Sequence, residues 1–135
     1  MKILIAYKEF EPPRAFEWLL RSPGVLTSLT NSCQQTQALL SQSWLPHAIF
    51  TAPCLVDGTW SDILRSARQA SPSLPVIVMA SQPDVKFYLD VIESGAFDFI
   101  APPYSLSDLH HVLKSVALHT GLSNPTAVRH PTTAA

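Results

Sequence analysis

Charge is scarce in this chain, and so is cysteine. Nine Lys and Arg stand against ten Asp and Glu, a net charge of −1 over 135 residues. That leaves no electrostatic footprint for nucleic acid, so any DNA contact falls to another domain or chain. The two cysteines, Cys33 and Cys54, form neither a CxxC pair nor a disulfide framework, and a reducing cytoplasm is the expected setting. No apolar run approaches the ~20 residues of a membrane span, and the opening Met-Lys-Ile-Leu-Ile-Ala reads as a strand rather than a secretory leader. No internal repeat occurs. What is present is an apolar fraction of 47% in a one-domain length, enough to bury roughly two thirds of the unfolded surface.

The apolar pattern alternates between two periods. Ile3–Ala6 is a short strand, and Pro12-Pro13 suits the first turn of a helix whose inner stripe is Phe16, Leu19 and Leu20. After Ser22-Pro23-Gly24, residues Val25–Thr30 read as a second strand. A weak helical face of Cys33, Thr36, Gln37 and Leu40 follows, then a third strand at Ala48–Ala52, a loop Pro53–Gly58, and a helix on Trp60, Ile63, Leu64 and Ala67. Pro75–Ala80 is the most hydrophobic strand, as a central parallel strand covered on both faces should be. A helix from about Asp84 is expected to turn Val85, Tyr88, Leu89 and Ile92 inward and Phe87 and Val91 outward. Phe97–Ile100 is a fifth strand. A last helix opens at Ser105 with Asp108 in capping-box spacing and carries Leu106, Leu109, Val112, Leu113 and Val116. Five β-then-α alternations predict a doubly wound α/β domain over residues 1–120 with strand order 2-1-3-4-5, and residues 121–135 as a flexible tail or linker.

The stretch Glu93-Ser-Gly-Ala-Phe-Asp-Phe-Ile-Ala-Pro-Pro-Tyr104 compresses a helix end, a glycine stop, a strand and a turn into twelve residues. It resembles the end of a two-component response-regulator receiver domain, with the resemblance running over roughly Lys2–His119. That resemblance implies a flavodoxin-like fold and a phosphoacceptor pocket at the strand ends. Placed position by position, the acid pair that would hold Mg²⁺ falls on Tyr7 and Lys8, the acceptor Asp on Ala52, the hydroxyl on Ala80 and the lysine on Pro102, so none of the five matches. The switch aromatic of the family falls on Phe99, and the family's cis peptide on Pro102–Pro103. A methyl group at position 52 offers neither ligand nor nucleophile, so no catalysis, cofactor or metal is expected there.

Other candidates have two readings each. Lys8 either places its ammonium where the metal would sit, paired with Glu9 or Asp57, or is a solvated loop lysine. His110, His111 and Lys114 are either an anion or metal contact or a polar outer face, and the pair lacks an i, i+4 His partner. Cys54 has no evident base beside it. Together these features describe a phosphorylation-independent, non-enzymatic receiver-like domain acting through protein–protein contact. The expected interface is the surface of Phe87, Val91, His110, His111 and Lys114, joining a homodimer or an output domain such as a transcriptional one. The alternative is a flavodoxin-like domain that binds a small molecule in the vacated crevice, although Tyr7-Lys-Glu-Phe-Glu-Pro-Pro lacks a phosphate-cradling Gly, Ser or Thr-rich turn.

Overall fold

The computed structural model describes residues 1–8, 14, 16–42 and 45–121. Five strands, β1 (Lys2–Ala6), β2 (Leu26–Thr30), β3 (Ala48–Thr51), β4 (Val76–Met79) and β5 (Asp98–Ile100), pair in parallel in the order β2-β1-β3-β4-β5. Between and after them run α1 (Phe16–Arg21), α2 (Cys33–Ser41), α3 (Trp60–Ala70), α4 (Val85–Glu93) and α5 (Leu106–Thr120). Strands β3 and β4 are buried at every residue, because helices cover both faces of the sheet. On one face Ile3, Ile5, Phe50, Ile77 and Met79 meet Phe16 and Leu19 of α1 and Leu109, Val112, Leu113 and Val116 of α5. On the other, Leu4, Ala6, Ile49 and Val76 meet Leu40 of α2 and Ile63, Leu64 and Ala67 of α3.

Helix starts follow the capping signals in the sequence. Ser105 and Asp108 form a reciprocal capping box at α5, and Thr59 and Asp62 form another at α3. Gly121 ends α5 in the left-handed region at φ 77°, where a side chain would be strained. The turn between α4 and β5 contains Gly95 at φ 102°. Its carbonyl and that of Leu74 each accept a 2.7 Å hydrogen bond from the Arg68 guanidinium, which ties the end of α3 to both flanking turns.

Some local expectations change. Gln37 is exposed, because α2 buries only Thr36 and Leu40. Leu106 at the first turn of α5 is half exposed, since that turn overhangs the end of the sheet. Strand β2 lies at the sheet edge and buries only Thr30, with Val25 buried just before it, rather than alternate residues. The Pro12-Pro13 helix start lies outside the described residues. Pro53–Gly58, read as loop, contains one arm of a small antiparallel hairpin, Cys54–Leu55 against Gly58–Thr59, turning on Val56-Asp57. The Asp57 carboxylate accepts from the backbone N–H of Cys33 at 2.6 Å and of Gln34 at 3.0 Å, capping α2 from another element. These two bonds hold its carboxyl below the usual range. A Cβ at Gly58 would stand 2.5 Å from Asp62 Oδ2 and 2.8 Å from Cys33 Sγ, so both side chains would have to shift to admit one.

At the opposite end of the sheet, Nδ1 of His47 accepts a 2.9 Å bond from the Lys2 backbone N–H, which only a neutral ring nitrogen can do. Burial, and then the positive charges of the Met1 amine and Lys2, hold this imidazole below its ordinary 6.5. A lowered folded pKa means that the unfolded chain binds the extra proton first. The contribution is therefore complete above pH 6.5 and drains away as pH falls below it. Urea unfolding of wild type and His47→Asn, compared at pH 5 and pH 8, is expected to show a smaller loss at pH 5 for the variant. Equal pH dependence of the two proteins would remove His47 from the account.

Candidate functional site

In an open parallel sheet the loops at the carboxyl ends of the strands surround the ligand crevice, because chain connections diverge there. Here they enclose a cleft of about 560 Å³ lined by Tyr7 and Lys8 after β1, Ala52, Pro53 and Cys54 after β3, Met79, Ala80 and Ser81 at β4, and Pro102 and Tyr104 after β5. All five positions that the receiver resemblance assigned to phosphoryl chemistry thus come together in one place. Among the described lining residues there is no carboxylate, and Lys8 carries the one formal charge. No group of three or more His, Cys, Asp or Glu that could hold a metal occurs among the described residues.

Lys8 is exposed and makes no ion pair with Asp57, whose two oxygens are taken by the α2 N-terminus. Of the two readings of Lys8, pairing with Asp57 does not form, because the hairpin aims Asp57 at helix α2 instead of at the cleft. Glu9, the other partner considered, lies outside the described residues. Cys54 is exposed at the rim of the cleft. Cys33 opens α2 with its thiol against the Thr59 carbonyl of the hairpin, and burial, followed by the Asp57 charge, pushes the thiol up to about 11 and keeps it protonated.

Tyr104 is the residue of the cleft that sequence reading had not singled out, beyond noting an aromatic after Pro-Pro. The Pro102–Pro103 bond is cis, and the Tyr104 hydroxyl after it donates a hydrogen bond to the Ala80 carbonyl. Burial, then the neighbouring Tyr7, pushes the phenol up to about 12, so it remains a donor throughout the neutral range. Its ring packs edge-on against Phe16 of α1 at 6.3 Å. The β4 end and the loop after β5 are thereby joined by a neutral brace.

Helix α4 corrects the expected surface. Val91 is 0% exposed and Phe87 is packed inward, while Val85, Tyr88 and Leu89 are 75%, 42% and 50% exposed. The apolar residues of the helix span a broad arc opposite Lys86, Asp90 and Glu93, so periodicity favoured one edge of that arc while packing buried the other. Asp84 fixes the phase by accepting from the Phe87 N–H, and an aromatic socket then takes the Phe87 ring. Trp60 of α3 lies 6.0 Å from it and Phe99 of β5 lies 5.6 Å from it, both edge-to-face. Phe99 also meets Tyr88 at 5.5 Å, so the switch-aromatic position is clasped by two rings of α4. On α5, His110, His111 and Lys114 are all exposed, and the His110 ring also lies tilted against Trp18 of α1 at 4.7 Å.

No family model matches the chain. It is 26% identical over 102 residues to the two-component response regulator ORR3 of Oryza sativa subsp. indica, covering 74% of this chain and 78% of that protein. It is 27% identical over 70 residues to the transcriptional regulatory protein ZraR of Klebsiella oxytoca, covering 52% of this chain and 16% of ZraR. Among solved structures, a response regulator receiver domain protein from Clostridium thermocellum superposes with a TM-score of 0.77 at 19% identity, over 89% of this chain and 96% of that one. The chain therefore has the flavodoxin-like fold of response-regulator receiver domains, and its sequence is similar to theirs.

Proposed function

We propose that this chain is a receiver-like signalling domain that works without phosphorylation and without catalysis, by presenting a fixed protein-binding surface. The observation that carries the reading is the cleft, which gathers the positions that the receiver resemblance assigns to phosphoryl chemistry, with a methyl group, an ammonium and a proline at the positions it assigns to acceptor, metal ligand and lysine. Tyr104 braces the β4 end directly, and Phe99 is held between Phe87 and Tyr88, so the elements that would toggle are tied in one arrangement.

The partner surface is centred on the outward stripe of α4, Val85, Tyr88 and Leu89, beside the edge strand β5. Three large apolar side chains in one helical stripe are the make-up of an interface centre. His111 and Lys114 on α5 supply basic groups near it, and a second copy of the chain is the partner, with residues 121–135 serving as a linker toward an output domain. Sedimentation equilibrium is expected to show a concentration-dependent dimer that acyl phosphate leaves unchanged and that Val85→Asp with Leu89→Lys dissociates. A wild type that stays monomeric at high concentration overturns the homodimer, and so does a dimer untouched by both substitutions.

A further inference from the structure

The same cleft has a property that protein contact does not use: its charge is inverted. A metal-binding crevice presents oxygens to a cation, whereas the described lining residues of this one present a cation to whatever enters. Lys8 makes no hydrogen bond or ion pair with any described residue, Asp57 of the hairpin is committed to the α2 N-terminus, and Glu9 and Glu11 lie outside the described residues. The Ser81 hydroxyl likewise makes no hydrogen bond among the described residues and lines the cleft beside Ala80. The Tyr104 hydroxyl spends its proton on the Ala80 carbonyl, so it cannot compete for an acidic ligand, and its ring together with Met79, Ala52, Pro53 and Pro102 forms an apolar wall. A volume of about 560 Å³ is within the ~300–1,000 Å³ of small-molecule sites.

We infer that this cleft is a binding site for a small organic anion: a carboxylate or phosphate-monoester head on Lys8 and Ser81, with a flat apolar body against the wall of Met79, Ala52, Pro53 and Pro102. The cleft combines one cation, one free hydroxyl and apolar surface at the position where open α/β sheets take ligands. An ion pair at an exposed lysine adds little by itself, so the apolar body supplies most of the affinity and the charge supplies the selection. Magnesium ion is repelled by the same ammonium, and binding needs no metal.

The test is a ¹H–¹⁵N NMR titration with benzoate and with phenyl phosphate, benzamide serving as the uncharged control, all without added metal. Both anions are expected to saturate shifts at the amides of Ala52, Ala80, Ser81 and Tyr104, at concentrations of roughly a millimolar, with benzamide at least several-fold weaker. Lys8→Ala is expected to weaken the anions by about fivefold, and Lys8→Glu is expected to abolish the preference for anions over benzamide. Lys8 is exposed on a loop, so both variants keep the wild-type spectrum elsewhere. No shift at these amides overturns the inference, and so does equal binding of benzamide or a Lys8→Glu titration like that of wild type. The dimer described above is scored separately by sedimentation of the ligand-free protein, so either idea can fail alone.

Discussion

Val91→Asp is expected to abolish folding, and Phe87→Ala to lower the free energy of unfolding by about 3 kcal/mol, measured by urea denaturation. Val91 sits at 0% exposure in an apolar cluster with Val78 and Ala96. A charge there is either buried unpaired or expels the helix, and both cost several kcal/mol of the 5–15 that a domain of this kind has in total. Phe87 is half buried, but its ring is the centre of the Trp60–Phe87–Phe99 stack, so its removal opens a cavity and also forfeits two edge-to-face pairs of about 0.5–1.5 kcal/mol each. Val85→Asp and Leu89→Lys, on the outward stripe of the same nine-residue helix, are expected to leave the monomer within about 0.5 kcal/mol of wild type. If the order were reversed, with Val85 and Leu89 damaging and Phe87 harmless, helix α4 would have the opposite face inward.

Incubated with an acyl phosphate and Mg²⁺, the protein is expected to gain no phosphoryl group by intact mass, and Ala52→Asp is expected to gain none either. Mg²⁺ demands near-octahedral oxygen ligands and gives up its water reluctantly. The cleft offers it no described carboxylate and places the Lys8 ammonium within its reach. Supplying an acceptor at position 52 leaves the metal unbound, and it leaves Pro102 where a cation would have to stabilise the transferred group. A metal-dependent adduct on wild type, mapped to any residue of the cleft, would falsify the phosphorylation-independent reading. An adduct on Ala52→Asp alone would show that Lys8 and Pro102 obstruct less than their charge and shape indicate.

The sequence by itself determined the architecture, because that rests on local physics: β-branched runs bounded by turn residues, capping pairs such as Ser105 with Asp108, and the glycine stops at Gly95 and Gly121. It also determined which residues meet in the cleft, since in a doubly wound sheet every strand's carboxyl end faces the same edge. Tertiary structure decided direction and partnership. Whether Phe87 or Tyr88 faced inward depended on a socket built by Trp60, 27 residues earlier, and Phe99, 12 residues later, which no period within the helix encodes. Asp57 looked free to pair with Lys8 until the hairpin carried it to the N–H groups of Cys33 and Gln34, 24 and 23 residues away in sequence. In each case the sequence supplied the chemical group, and packing between distant elements supplied its environment, because the energy of burying an aromatic ring or capping a helix end depends on what the fold places beside it.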